Sequence, residues 1–237
     1  MGIDDMTPYQ EKIGDTALVI LSGGQDSATC LFWAKTQFSK VEAITFNYGQ
    51  RHRIEIDCAI RLAGLADVHH EIIKETALSE IGNSALMDSC AKIVIEDGEL
   101  PSTFVPGRNL VFLSLAGAFA YKRGIYDVVM GVNQVDYSGY PDCRLDAILA
   151  QQSALCLGMN YRIQVHTPLI NLNKKEIVEM AKRLGVISYM QYTHTCYNGV
   201  RPPCGECPAC VLREHGFKAA GEVDPLLSVG NWSSDRK

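Results

Sequence analysis

Several features are missing from the 237-residue sequence, and each absence narrows its class. No apolar run is long enough to cross a bilayer. The longest, Leu110 to Ala120, falls well short of the ~20 residues that a spanning helix needs. The first stretch, Met1 to Gly14, is polar and mixed in charge, so it does not read as a secretory signal. Positive charge is in short supply: 22 lysines and arginines face 27 aspartates and glutamates. The net charge of −5 leaves nothing global to attract nucleic acid. These readings predict a cytoplasmic protein with no membrane and no nucleic-acid partner. In a reducing compartment the nine cysteines are not expected to form disulfides. Hydrophobic content of 47% is ordinary for a globular chain and allows a sizeable core.

What is present is organised around Ser22-Gly23-Gly24-Gln25-Asp26-Ser27. The preceding Thr16-Ala17-Leu18-Val19-Ile20-Leu21 is short, apolar and β-branched, which predicts a buried parallel strand. After the motif, Ala28 to Phe38 carries Cys30, Leu31, Phe32 and Ala34 at helical spacing. The motif therefore sits on a strand–loop–helix corner. Two glycines let the backbone turn sharply and approach a ligand. Loop N–H groups, the helix start and two serine hydroxyls together make an anion cradle, and phosphate is the natural guest. The alternative is a plain strand-to-helix turn, which a lone Gly-Gly pair would favour. A Walker A loop is absent, since no Gly-x-x-x-x-Gly-Lys-Ser/Thr occurs.

Along the chain, residues 1–14 read as a flexible leader. A second strand is expected at Val41 to Asn47, a helix at Arg51 to Leu65 and a third strand at Val68 to Ile73. Strands alternating with helices predict a parallel α/β sheet. Ligands of such sheets bind at the carboxyl ends of the strands, which brings Thr45 and Phe46 towards the motif. Phe46 can face an adenine ring or belong to the core. Thr76 to Leu100 has no clear pattern. A Pro106-Gly107 turn leads to Asn109, expected to cap a helix Leu110 to Arg123 that is apolar nearly all round. That helix is expected in the core or in a subunit interface. A strand at Asp127 to Val132 precedes the loop Gln134 to Arg144, which offers Asp136, Asp142, Tyr137, Tyr140, Ser138 and Arg144. A helix Leu145 to Leu157 and a strand Arg162 to His166 follow. Asn171 is expected to cap a helix ending at Leu184, with Lys174 in its first turn. A cation there opposes the helix dipole and suggests a nearby phosphate, unless it is an ordinary exposed lysine.

Cys196, Cys204, Cys207 and Cys210 give Cys-x7-Cys-x2-Cys-x2-Cys. Four thiolates fill a tetrahedral zinc shell and leave no open position, so such a site is structural. An iron–sulfur cluster is the rival, since the spacing serves both. His194 and His215 flank the cluster as possible substitutes. Cys30, Cys58 and Cys156 fit helical core positions. Cys143, in the loop before Leu145, is the one scattered cysteine with a possible catalytic part.

The six-residue motif resembles the pyrophosphate loop (PP-loop) of the N-type ATP pyrophosphatases. The whole chain from residue 16 to about 217 resembles the QueC family, which makes 7-cyano-7-deazaguanine. The residues carrying this are the loop, Phe46-Asn47-Tyr48-Gly49-Gln50-Arg51-His52, Val105-Pro106-Gly107-Arg108-Asn109, the segment Asp136 to Arg144, and the four cysteines. The resemblance implies an adenine-nucleotide alpha-hydrolase-like, Rossmann-like fold. Its α/β parallel sheet carries helices on both faces and a small C-terminal zinc-binding segment. The expected division is 15–190 for the ATP-binding domain and 191–237 for the zinc segment.

It further implies conversion of 7-carboxy-7-deazaguanine, ammonia and ATP into the nitrile, with Mg2+ on the phosphates and one Zn2+ per chain. No stretch reads as a glutaminase, so free ammonia is the expected nitrogen source. Nucleotide contacts are expected at Leu21, Ser22, Gly23, Gly24, Gln25, Asp26, Ser27, Ala28, Thr29, Cys30, Leu31, Thr45, Phe46 and Lys174. Ser22, Asp26 and Ser27 are the expected catalytic residues. Asp136 or Asp142 would read the guanine-like N–H edge, and Arg144 or Arg108 the substrate carboxylate. A homodimer burying the helix from Leu110 is expected. The alternatives are another PP-loop adenylating enzyme, such as a tRNA thiolation enzyme, and a non-catalytic zinc-ribbon module.

Overall fold

The computed structural model describes residues 12–50, 54–81, 100, 102–134 and 140–228. In chain order its elements are β1 (Gly14–Ile20), α1 (Gln25–Gln37), β2 (Phe38–Asn47), α2 (Ile54–Ala66), β3 (His69–Lys74) and α3 (Ala77–Ile81). Then come α4 (Arg108–Arg123), β4 (Asp127–Met130), α5 (Leu145–Met159), β5 (Gln164–His166), α6 (Lys174–Arg183), α7 (Pro208–Ala219) and α8 (Pro225–Ser228). The strands form one parallel sheet in the order β3-β2-β1-β4-β5. The chain builds outward from β1 through β2 and β3, then crosses to the other side of β1. The switch point lies between β1 and β4, where such sheets bind ligands.

Strand alternation sorts the core into two layers. Ala17, Val19 and Leu21 of the first strand segment face α1, α2, α6 and α7, with Val129, Ile177 and Phe217. Leu18 and Ile20 face the other way, against Leu113, Ala116 and Ala120 of α4 and Ile148 of α5. β1 is buried on both faces over its last four residues, which is why it lacks a polar–apolar alternation.

Three local expectations change. Gly107, at φ +70°, is the N-cap of α4, and Asn109 lies inside the helix. The Asn109 N–H is instead accepted by the Asp142 carboxylate at 3.0 Å, so the cap arrives through space rather than from the preceding residue. Asn173, not Asn171, caps α6. Its side chain accepts the Glu176 N–H at 3.1 Å while Glu176 accepts the Asn173 N–H at 2.8 Å, a reciprocal box worth about 1 kcal/mol. Finally, α4 is not buried all round. Ala118, Tyr121, Lys122 and Arg123 are exposed, and α5 covers the flank at Gly117 with Leu155. Thr76 to Leu100, without a clear pattern in sequence, contains the short α3.

The C-terminal part is fastened by one buried ion pair. Arg213 of α7 donates Nε and Nη2 to the two Asp224 carboxylate oxygens at 2.6 and 2.8 Å. Its Nη1 reaches the Thr193 and Thr195 hydroxyls, so every donor arm of this guanidinium is used. No described helix is long and apolar enough to cross a membrane.

Candidate active site

A cavity of about 310 Å³ opens at the carboxyl ends of the strands, over the switch point. Its floor is the loop after β1. Ser22 Oγ donates to Ser27 Oγ at 3.0 Å, and Ser27 Oγ donates to the Gly24 carbonyl at 3.1 Å. The Ser22 N–H is also accepted by Ser27 Oγ, so the two hydroxyls fix the loop to the first turn of α1. Gly23 sits at φ +86°, and a Cβ there would lie 2.1 Å from the Glu55 carbonyl of α2. Only glycine fits this crossing. Gly131, just after β4, is close but less constrained, with a Cβ position 3.1 Å from the Ser27 nitrogen. No side chain caps α1, because its N-cap is Gly24. The start of α1 is thus left to an anion.

Two polar groupings line the cavity. The first is Ser22, Gly24, Gln25, Asp26, Ser27 and Lys174. Lys174 Nζ donates to Asp26 Oδ2 at 2.7 Å, although the two are 148 positions apart. Gln25 is 4% exposed, and its Nε2 finds no acceptor among the described residues. A buried amide donor without a partner is costly, and a phosphate oxygen in the cavity would satisfy it.

The second grouping gathers around Arg108, with Tyr48, Glu55, Tyr140, Cys143 and Tyr197. Burial works against the Arg108 charge. Tyr48, Tyr140, Asp142 and Cys143 more than offset it, and its pKa ends above the ordinary range. Burial pushes the Tyr48 phenol up, while a hydrogen bond from Arg108 partly restrains it. Tyr197 is raised further, by burial and then by Tyr140. Asn109 Nδ2 donates to Cys143 Sγ at 3.2 Å. Burial lifts the Glu55 carboxyl to about 7, with Arg108 pulling the other way.

Between the groupings, apolar wall comes from Ile20, Phe46, Phe112, Met130 and Val132. Phe46 stacks on Phe112 with centroids 4.6 Å apart and planes at 14°. It is 5% exposed, so it is packed as core while its edge lines the cavity.

The four cysteines come together as the spacing predicts. Their sulfurs all lie within 4.8 Å of one another. Backbone N–H groups point at the sulfurs: Cys207 to Cys204, Cys204 to Cys196 and Tyr197 to Cys207, at 3.3 to 3.5 Å. Hydrogen bonds from Cys207 and Cys210 draw the Cys196 thiol well down, and the same pairing pushes Cys207 and Cys210 up. Four thiolates in this space need a cation to offset their charge. The donor set is therefore suited to one metal ion.

The cluster also forms part of the cavity wall, because Cys196 and Tyr197 line it. His194 is not among the clustered ligands. Its N–H donates to the Gly23 carbonyl at 3.0 Å, and its Nε2 pairs with the Cys196 carbonyl at 2.9 Å. His215 is exposed.

The remaining expected residues fall in three places. Leu21, Phe46 and Lys174 line the cavity with the loop. Gly23, Ala28, Thr29, Cys30, Leu31 and Thr45 do not. Ala28, Thr29, Cys30 and Leu31 are buried behind the loop, and Thr45 Oγ1 donates to the Leu21 carbonyl at 2.5 Å. These residues hold the loop from behind. Arg144 is exposed and absent from the cavity, and Asp142 is buried at the start of α4 rather than in the lining. Asp136 lies outside the described residues. Sequence reading passed over Glu55 and Tyr197. The available signal for Glu55 was an acidic first helical turn directly after the carboxyl end of β2.

A parallel sheet with a glycine–serine loop at its switch point, an uncapped helix start and a four-cysteine wall define a PP-loop enzyme. The comparisons carry this to a family. The sequence profile described as "Queuosine biosynthesis protein QueC" matches residues 16–221. The 7-cyano-7-deazaguanine synthase of Chromobacterium violaceum is 52% identical over 218 residues, 90% of this chain and 93% of that one. The enzyme of the same name from Laribacter hongkongensis is 52% identical, covering 90% and 94%. A solved 4-thiouridine synthetase–RNA complex with bound ATP superposes with a TM-score of 0.50 at 19% identity. It covers 87% of this chain and 50% of that one, and shows a shared fold alone. The chain belongs to the QueC family of queuosine biosynthesis proteins.

Proposed function

We propose that the protein converts 7-carboxy-7-deazaguanine, ammonia and ATP into 7-cyano-7-deazaguanine, as a ligase forming a C–N bond in queuosine biosynthesis. The observation that carries this is the joining of two groupings in one cavity. A phosphate-binding loop and an arginine-centred pocket share its walls.

The chemistry requires that pairing. A free carboxylate is a poor electrophile, because oxide would have to leave. Attack of the carboxylate oxygen on the α-phosphate gives an adenylate and releases pyrophosphate into the loop. Ammonia then displaces AMP to give an amide. A second adenylation, on the amide oxygen, lets AMP leave again as the nitrile forms. The loop N–H groups, Ser22, Ser27 and the Gln25 amide would stabilise the developing phosphate charge. Lys174 and Asp26 neutralise each other in the resting site. With nucleotide bound, Lys174 would turn to phosphate and Asp26 would face Mg2+, which takes one or two carboxylates alongside phosphate oxygens. Arg108 is the cation for the substrate carboxylate, hydrogen-bonded to Tyr48 and favoured in its charged form by Tyr140 and Asp142. Holding both reactants in one small site supplies much of the rate.

Zinc is the proposed ion of the cysteine cluster, since four thiolates and no open position suit a structural zinc. The enzyme is read as a cytoplasmic homodimer acting on small molecules.

The test is direct. Purified protein is incubated with ATP, Mg2+, ammonium and 7-carboxy-7-deazaguanine, and the nitrile is followed by mass spectrometry with pyrophosphate release. Product that needs all three substrates is expected. Pyrophosphate release that depends on tRNA instead of the deazaguanine would overturn the reading.

A further inference from the structure

Glu55 is the one cavity carboxylate without a task in the chemistry above. It stands in the first turn of α2, half-buried, and lines the cavity together with Arg108, Tyr48 and the loop. Its main chain is pressed against Gly23, where no Cβ could fit, so the residue is fixed beside the phosphate loop. The Arg108 charge acts on its carboxyl. Glu55 therefore shares the cavity with the proposed phosphate loop, against which its backbone packs, and with Arg108, whose charge it feels. Asp26, the other acidic side chain of the cavity lining, is engaged by Lys174. Among the described residues, no hydrogen bond reaches the Glu55 carboxylate.

The proposed reaction leaves such a group a role. At neutral pH the nitrogen arrives as ammonium, which has no lone pair and cannot attack. We propose that Glu55 is the catalytic base of the amide-forming step, taking a proton from an ammonium ion that enters the cavity beside Arg108. This rests on the amide-forming reading above. The ionised Glu55 carboxylate attracts ammonium and accepts one proton from it. The ammonia lone pair then forms the C–N bond to the acyl carbon. The bond from that carbon to the phosphate oxygen breaks, and its electron pair leaves with AMP. The second proton shed by the nitrogen passes to water of the open cavity. Glu55 loses its own proton to solvent before the next cycle.

The surroundings suit this. Burial, opposed by Arg108, puts the carboxyl near 7, so it both accepts and releases a proton at neutral pH. The groups facing it do not take over the role. Tyr48 and Tyr197 are raised by burial, and Cys58 on the same helix is pushed up to about 11. Lys174 and Asp26 are paired with each other, and His194 is paired with the Cys196 carbonyl. Tyr140 accepts or donates at 2.6 Å to the Thr103 hydroxyl.

The experiment compares two nitrogen nucleophiles. Hydroxylamine is unprotonated at neutral pH and needs no base to attack an acyl adenylate. For Glu55→Gln, ammonium-dependent product should fall by roughly 10²–10⁴-fold. Hydroxamate formation should stay within about threefold of the parent enzyme. The parent's ammonium-dependent rate should fall as the pH drops below about 7, and its hydroxylamine rate should not follow that limb. Glu55→Asp, which keeps the acceptor, should recover part of the ammonium rate and the pH limb. Circular dichroism establishes folding of both variants. Equal losses with both nucleophiles, or a Glu55→Gln enzyme with parental ammonium kinetics, overturns the proposal. A parent enzyme that releases no pyrophosphate with the carboxylate substrate overturns the underlying reading instead, and the base proposal with it.

Discussion

The two polar groupings of the cavity are assembled in opposite ways. The loop grouping is contiguous: Ser22, Gly24, Gln25, Asp26 and Ser27 are neighbours, and only Lys174 comes from far along the chain. Its geometry is fixed locally by two hydroxyl bridges and a glycine crossing. The arginine grouping has no such local frame. Tyr48 follows β2, Glu55 opens α2, Arg108 opens α4, Tyr140 and Cys143 precede α5, and Tyr197 comes from the cysteine segment. A phosphate is recognised by backbone N–H groups, which a short motif can supply anywhere it folds. A substituted heterocycle needs side chains converging from several directions, which only the tertiary fold supplies.

The difference predicts where damage spreads. On the proposed reading, Asp26→Ala strikes the grouping that activates every substrate, and it removes the carboxylate that Lys174 pairs with. Product formation should fall by at least roughly 10²–10³-fold, whatever the nitrogen nucleophile. The Asp26–Lys174 pair is partly exposed, so the melting temperature should barely move. Stopped turnover with an intact thermal transition is the expected result. Normal ATP-dependent product from a soluble Asp26→Ala protein would break the comparison at its stronger end.

The cysteine segment joins the two groupings, which makes it the next test. His194 holds the Gly23 carbonyl, while Cys196 and Tyr197 form wall beside Arg108. If the cluster holds zinc as proposed, Cys204→Ser should cost that ion, because three sulfurs leave the shell open. The melting temperature should then fall, and the KM values for ATP and for the carboxylate should rise together. Metal analysis, calorimetry and steady-state kinetics on the variant decide it. An unchanged metal content and melting temperature with activity lost would mean that the cluster has a chemical part instead. Loss of the metal need not unfold the whole chain, since the Arg213–Asp224 pair independently fastens α7 to the segment after it.

What could be read from the sequence follows the same division. The strand–loop–helix corner and the four-cysteine knuckle are short-range patterns, and both form where their spacing places them. The parallel sheet was legible because each strand is an apolar run followed by a helical stretch. Reach and direction were not legible. Ala28 to Leu31 follow the loop in sequence, yet helical rotation carries them into the core behind it. Asp142 and Arg144 both sit in a loop rich in charge. One is recruited to cap α4 and the other points to solvent, a choice made by packing 33 residues away. Tyr197 was invisible for a related reason. Its place is set by its neighbour Cys196, whose sulfur is tied to Cys204, Cys207 and Cys210.

The smallest effect sharpens the weaker end. The sequence offered Arg144 first and Arg108 second as partners for the substrate carboxylate. Arg108 lines the cavity, and its charge is strengthened by two phenols and Asp142. Arg144 is exposed, directly before α5, and no part of it lines the cavity. A charge-assisted contact to a carboxylate is worth about 1.5–3 kcal/mol, so its loss corresponds to roughly tenfold to a hundredfold. Arg108→Ala should therefore raise the KM for 7-carboxy-7-deazaguanine by that factor while moving the KM for ATP far less. Arg108→Lys should recover only part of it, since a point charge replaces a planar fork. Arg144→Ala should change both constants by less than about twofold, as expected of a solvated surface charge. The measurement is a pair of substrate titrations for each variant. A large rise confined to Arg144→Ala would return the carboxylate contact to the loop before α5.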